Sequence, residues 1–258
     1  DGEYFMYIYT ARDNIEDMLC CIYTAWERAL TCGHNNICLM KEPVIQNTLF
    51  DEYIHVDYSE EQYEKVVRSI KRKISDNAFF HIYYALLSYE EDSLDAVYRF
   101  LIKAFKIGAD IMYQYNIPEV ARILELRRNV GNEAHYFREF ARFNSIDNRL
   151  YICHLEPKND ITEIVANHFA DRMPSENWMI IDDNRKTAVV HAADCENYIR
   201  ILSDDEMEKL KKTELVSDEY TDMWRAFFDA IAIKERTNYR CQRNMMPLWM
   251  RKHATEFM

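Results

Sequence analysis

Glycine is nearly missing from this chain, and the shortage has chemical consequences. Only Gly2, Gly33, Gly108 and Gly131 occur in 258 residues. A P-loop or a G-x-G-x-x-G turn needs clustered glycines so that backbone N–H groups can approach phosphates. Four scattered glycines exclude P-loop nucleotide hydrolases and Rossmann dehydrogenases. Paired cysteines are also lacking. The seven cysteines include no C-x-x-C, so neither a zinc ribbon nor a CxxxCxxC iron–sulfur ligand set can form. No metal site and no cofactor are expected. An odd cysteine count without a basic-then-apolar leader points to reduced thiols and a cytoplasmic location. Met6 is the first methionine and a candidate start, which would make Asp1–Phe5 foreign to the protein. No apolar run approaches the ~18–20 residues of a membrane span. Acidic residues outnumber basic ones, 44 to 32. The net charge of −12 argues against general coating of nucleic acid, so any polyanion contact must be local and salt-sensitive.

What is present is apolar and aromatic: 48% hydrophobic residues, with 18 Tyr and 13 Phe, enough to fill a substantial core. Tyr4–Tyr9 alternates and reads as a strand, followed by a helix from Asp13 to about Leu30 that buries Ile15, Met18, Leu19, Ile22 and Trp26. Thr31–Gln46 reads as a loop and Leu49–Asp57 as a second strand. Ser59 with Gln62 forms a capping box for a helix ending in Arg68, Lys71, Arg72 and Lys73. From Ala78 to Phe143 the pattern is helical, with breaks near Tyr89–Ser93, at Pro118 and at Gly131. Arg149–Glu156 is a strand, and Asp160 with Glu163 starts a helix to Arg172. Trp178–Asp182, Thr187–His191 and Tyr198–Ile201 read as short antiparallel strands. Ser203 and Glu206 cap an acidic helix. This order is α+β: strand–helix units, a central helical block, a small mostly antiparallel sheet and C-terminal helices. A single two-lobed domain over 1–258 is expected, with its weakest seam at 145–148.

Several constellations could carry chemistry. On a helix, Arg128, Asn132, His135, Glu139 and Arg142 share one stripe, while Glu133 lands on the opposite, apolar face. A carboxylate there is either paired structurally, with Arg138 or Arg172, or is a working acid or base. His168 and Arg172 are i, i+4, and His168 borders the core side. Trp178–Asp183 (WMIIDD) ends a strand in two carboxylates, as metal-dependent nucleases do and as plain turns do. His154-Leu155-Glu156 matches the H-x-E of zinc deaminases but lacks their P-C-x-x-C, which excludes that chemistry.

The C-terminal stretch stands apart. Trp224, Phe227, Phe228 and Ile231 have the spacing of a buried helical face. From Lys234 to His253 six Lys or Arg face one acid, a net of +5, so the rest of the chain sums to −17. If the helix continues, Arg236, Arg240 and Arg243 make one cationic stripe. Asn238, Tyr239, Gln242 and Trp249 add amides and stacking rings suited to nucleic acid. The competing possibility is that these cations dock on the acidic segment Ser203–Asp222, which holds eight acids and three bases.

Three blocks, GNEAHYFREFARF, LYICHLEPKNDITEIVANHFADRMPSENWMIIDD and WRAFFDAIAIKERTNYRCQRNMMPLWMRKH, resemble a bacterial family described as probable DNA metabolism proteins. The similarity runs through essentially the whole chain in the family's order. Glu133, His135, Arg138, His168, Arg172 and Asp182 match its pattern, as do Arg236, Asn238, Gln242, Arg243 and Trp249, all without assigned roles. The resemblance implies a radical-SAM DNA modification or repair protein as partner. It also implies relatives in which the domain is fused to a uracil-DNA glycosylase. No G-x-D-P-Y loop occurs here, so base excision by this chain alone is not expected.

The leading expectation is therefore a DNA-repair accessory protein that contacts DNA through Arg128, Arg138, Arg142, Arg172 and the 236–249 residues. A nucleic-acid-processing enzyme with Glu133, His135, His168 and Asp182 in one cleft is the alternative. A protein-interaction scaffold without DNA contact is the third.

Overall fold

A computed structural model describes residues 6–44, 51–147, 149–214 and 219–257. Tyr4, Phe5, Leu49, Phe50, Asn148 and residues 215–218, on which parts of the expected elements fall, lie outside these. The fold is α+β, and the chain divides into two compact units, 1–131 and 132–258. The division falls within a helix, whereas the sequence places its seam at 145–148.

In the first unit β1 (Tyr7–Ala11) is the middle strand of a parallel sheet, between β2 (Ile37–Lys41) and β3 (Glu52–His55). Tyr7 pairs with Ile37 on one side and with Glu52 on the other. Helix α1 (Ile15–Cys32) buries Met18, Leu19 and Ile22 against the sheet. The β2 strand corrects the loop expected over Thr31–Gln46. Turn residues Gly33, Asn35 and Asn36 crowd its start, and the run Ile37-Cys38-Leu39-Met40 is apolar throughout, so the sequence shows no alternation although burial alternates. Its backbone is secured by side chains: Asp95 accepts from the Leu39 N–H at 3.1 Å, and Arg99 donates to the Ile37 carbonyl.

Helices α2 (Glu60–Lys73), α3 (Asp76–Leu86), α4 (Ser93–Ile107) and α5 (Pro118–Phe140) complete the helical block. Ser59 precedes α2 without a side-chain cap bond, so the capping box expected there does not form. Pro118 opens α5 as expected, but Gly131 does not interrupt it. The added break is at Gly108, whose φ of 81° ends α4 in a conformation that favours glycine.

The second unit holds a five-stranded sheet in the order β4 (Asn144–Ile146), β5 (Leu150–Leu155), β6 (Trp178–Asp182), β7 (Thr187–His191), β8 (Tyr198–Ile201). Three of its four pairings are antiparallel. The exception is β5 with β6, joined through α6 (Thr162–Arg172) and running parallel. Ile152, Ile181, Ala188, Leu202 and Met207 form a core on one face. Trp178 is fully buried and stacks on His191, ring centroids 4.7 Å apart. α7 (Asp204–Glu214) starts with the expected capping box: the Ser203 N–H donates to Glu206, and the Glu206 N–H donates to Ser203 Oγ.

Helix α8 (Glu219–Ile231) departs from expectation. Its apolar face is present, yet Phe227 and Ile231 are 53% and 57% exposed. Periodicity says which residues share a face, not whether the chain supplies something to cover it. Among the described residues no helix is long and apolar enough to cross a membrane.

Candidate functional site

Parallel pairing puts the carboxyl ends of β5 and β6 on one edge of the sheet. That edge gathers the ionisable groups of the second unit. His154 Nδ1 lies 3.0 Å from Asp183 Oδ1, and their side chains are 2% and 3% exposed. Burial pushes the Asp183 carboxyl up, but the hydrogen bond and charge of His154, with Lys211 and His253, outweigh it, so the group ends below its ordinary range.

The C-terminal segment lies over this edge. His253 Nε2 is 3.8 Å from Glu156 Oε1 and 3.9 Å from Asp183 Oδ2. Its ring stacks on His154, centroids 6.1 Å apart. The Lys252 ammonium pairs with Glu156 Oε1. Trp249 packs edge-on against Phe137, and the Lys158 ammonium sits 5.2 Å from the Trp249 ring centre.

Two of the anticipated carboxylates hold the loop that follows β5. Glu133, nearly fully buried, accepts from the Lys158 N–H at 2.9 Å, the Asn159 N–H at 2.8 Å and the Asn159 side-chain amide. Its partners are therefore amides of residues 158–159, not Arg138 or Arg172. Asp182, fully buried, accepts from the Asn184 and Arg185 N–H groups, from the Arg185 guanidinium and from Thr162 Oγ1. Arg185 in turn donates to the Pro157 and Lys158 carbonyls. Glu133 and Asp182 thus grip one loop from two directions, each with its oxygens engaged. Of the WMIIDD pair, Asp182 makes the turn and Asp183 faces the cluster.

The other anticipated acid–base residues stand elsewhere. His135 is exposed and pairs with Glu139 at 3.3 Å, one helical turn on. His168 is half-buried, edge-on to Phe169; burial and then Arg138 and Arg172 hold its pKa below the ordinary value. Neither has a hydrogen bond or ring contact to the His154–Asp183 cluster.

The anticipated cations divide into two groups. Arg142 is engaged: its guanidinium binds Glu256 at 2.6 Å and lies over Trp224. Arg138 donates to the Ile164 carbonyl at 3.3 Å, and its Nε is buried without a hydrogen-bond partner among the described residues. Arg128 and Arg172 are exposed. Arg236, Arg240 and Arg243 are exposed too, and no described carboxylate pairs with them. Within the acidic segment, Asp204 pairs with Lys186, Glu206 with Arg200 and Asp222 with Arg225, and the side chains of 212–220 lie outside the described ones.

These three arginines do not form the single helical stripe that a continuous helix would give. Arg236 ends a 3-10 turn, and a separate helix, α9 (Tyr239–Met245), carries Arg240 and Arg243. Asn238 ends the continuity because it caps α9, its Oδ1 accepting the Cys241 N–H at 3.0 Å. Tyr239 is 69% and Trp249 40% exposed, while Gln242 is half-buried.

His154, Glu156, Asp183 and His253 were not anticipated as a group. The available signal was His154-Leu155-Glu156, set aside because zinc deaminases need further cysteines. Nothing local links residue 253 to residue 156; only the sheet edge does.

A further polar network closes the carboxyl ends of the first unit's parallel sheet. Glu42 accepts from Thr10 Oγ1 at 2.7 Å and contacts His55 Nδ1 at 2.6 Å, and His55 Nε2 is 3.2 Å from Asp57. The two carboxylates, Glu42 foremost, raise the His55 pKa.

Residues 91–256 match the model of a protein family described as a domain of unknown function, DUF4130. No curated protein matches the chain.

Proposed function

We propose, for a chain that belongs to the DUF4130 family, that residues 236–249 form a nucleic-acid-binding face and that the protein is an accessory factor in DNA metabolism or repair. One observation carries this: on a chain of net charge −12, three guanidinium groups stand in solvent with no carboxylate partner among the described residues. Arg236, Arg240 and Arg243 contact phosphates, and exposed Tyr239 stacks on a base. Their charge supplies affinity, not sequence preference. Three phosphate contacts on duplex DNA imply a log–log salt slope of about −2.7, or roughly fortyfold weaker binding between 50 and 200 mM salt. The resemblance to DNA metabolism proteins supports a radical-SAM partner that performs the chemistry.

Fluorescence anisotropy with labelled single- and double-stranded DNA across salt tests the binding face. Salt-dependent binding lost in the Arg236→Ala, Arg240→Ala, Arg243→Ala triple variant is expected. No binding at ~50 mM salt, or an unchanged triple variant, refutes it. The partner is tested by co-purification after nuclease treatment.

A second reading, a nucleic-acid-processing enzyme, is favoured by the His154–Asp183 pair at the strand ends. Its working groups would be His154, Glu156, Asp183 and His253, because Glu133 and Asp182 are occupied by the loop they hold.

A further inference from the structure

We propose that Glu156, Asp183 and His253 bind a divalent first-row transition-metal ion. A carboxylate oxygen from each acid and an imidazole nitrogen from His253 lie within 4.8 Å of one another. The three come from different places, the end of β5, the turn after β6 and the C-terminal segment, so the fold itself assembles the set.

The surroundings are those of a built site. Asp183 is fixed: its Oδ1 bonds His154 Nδ1, and its Oδ2 faces His253. A metal-ligating carboxylate held by a neighbouring hydrogen bond is the usual supporting arrangement. His154 is itself buried, and its Nε2 has no hydrogen-bond partner among the described residues. A cation already contacts one of the ligand oxygens: the Lys252 ammonium lies on Glu156 Oε1, the oxygen that approaches His253. Lys252 is 61% exposed, so its long side chain can leave for solvent.

The ligand chemistry sets the ion class. Two carboxylates with one imidazole suit Mn²⁺, Fe²⁺, Co²⁺ or Zn²⁺ better than Ca²⁺ or Mg²⁺, which take oxygen ligands. Glu156 and Asp183 approach His253 at 3.8 and 3.9 Å. Ligands ~2.1 Å from one ion stand roughly 3.0–3.4 Å apart, so each carboxylate needs to close on His253 by about half an ångström. Three protein ligands leave open positions for water or for a phosphate oxygen.

The site is independent of the proposed DNA face, and its test needs no DNA. Chelator-treated, dialysed protein is titrated with Mn²⁺ while the electron paramagnetic resonance signal of free Mn²⁺ is followed. Mn²⁺ is chosen because the exposed thiols Cys195 and Cys241 compete poorly for it. One ion per chain is expected. Glu156→Gln and His253→Gln each weaken binding about tenfold or more. Lys252→Met removes the competing ammonium and tightens it severalfold, a gain that misfolding cannot mimic. No loss of free Mn²⁺ signal at ~1 mM protein and metal overturns the proposal, because the three side chains are then only part of an ion-pair cluster. Wild-type affinity in both Gln variants overturns it equally, because the ion is then held elsewhere.

Discussion

Removing Glu133 tests whether this buried acid works on substrate or on the protein itself. Its side chain accepts three hydrogen bonds, two of them in fully buried surroundings and the Lys158 N–H in a partly buried one. A buried donor that loses its acceptor costs ~1–3 kcal/mol, and the Lys158 amide costs less because water reaches it. Glu133→Ala therefore destabilises the second unit by about 4 kcal/mol. Glu133→Gln keeps one acceptor but turns an NH₂ toward a donor, which costs about 2 kcal/mol. Urea unfolding followed by tryptophan emission measures this, since Trp178, Trp224 and Trp249, three of the four tryptophans, lie in 132–258. A shift below ~1 kcal/mol for Glu133→Ala would refute the loop-holding role, because the lost amide bonds could not then be structural.

Glu256 makes stability acid-sensitive. Burial pushes its carboxyl up, but Arg142 outweighs burial and leaves it below the ordinary 4.5. The unfolded chain then takes up the proton first, so the stabilisation is complete above ~4.5 and disappears as pH falls through the depressed folded value. Glu256→Gln should flatten that acid limb in pH-dependent urea unfolding, and Arg142→Ala should cost about 2–3 kcal/mol at neutral pH. Thiol reactivity reads the fold independently. Cys195 and Cys241 should react at once with a thiol reagent, and Cys32 and Cys38 slowly. Burial pushes the Cys38 thiol up to about 11. Buried Cys20, Cys21 and Cys153 should react only after denaturation, and prompt modification of all seven would contradict the packing.

Legibility followed locality. Strands Trp178–Asp182, Thr187–His191 and Tyr198–Ile201 occupy the residues the pattern indicates, because alternation between short turns is written into neighbouring residues. The Ser203–Glu206 box formed for the same reason. Strand β2 was illegible because its flanks read as turns and its apolar run, Ile37 to Met40, shows no alternation. The extended cationic helix failed at Asn238, where a local side-chain cap restarted the backbone.

The chain alone decided which residue types existed and which chemistries they forbade. Without clustered glycines no phosphate loop can be built, whatever the fold, since that limit lies in backbone sterics. It also concentrated cations near one end. Only the tertiary structure decided their fates: Lys252 and His253 meet acids at the ends of β5 and β6, while Arg236, Arg240 and Arg243 meet none among the described residues. Electrostatic pairing depends on ångström separations between residues far apart in sequence, here 156, 183 and 253, and no local pattern encodes those distances.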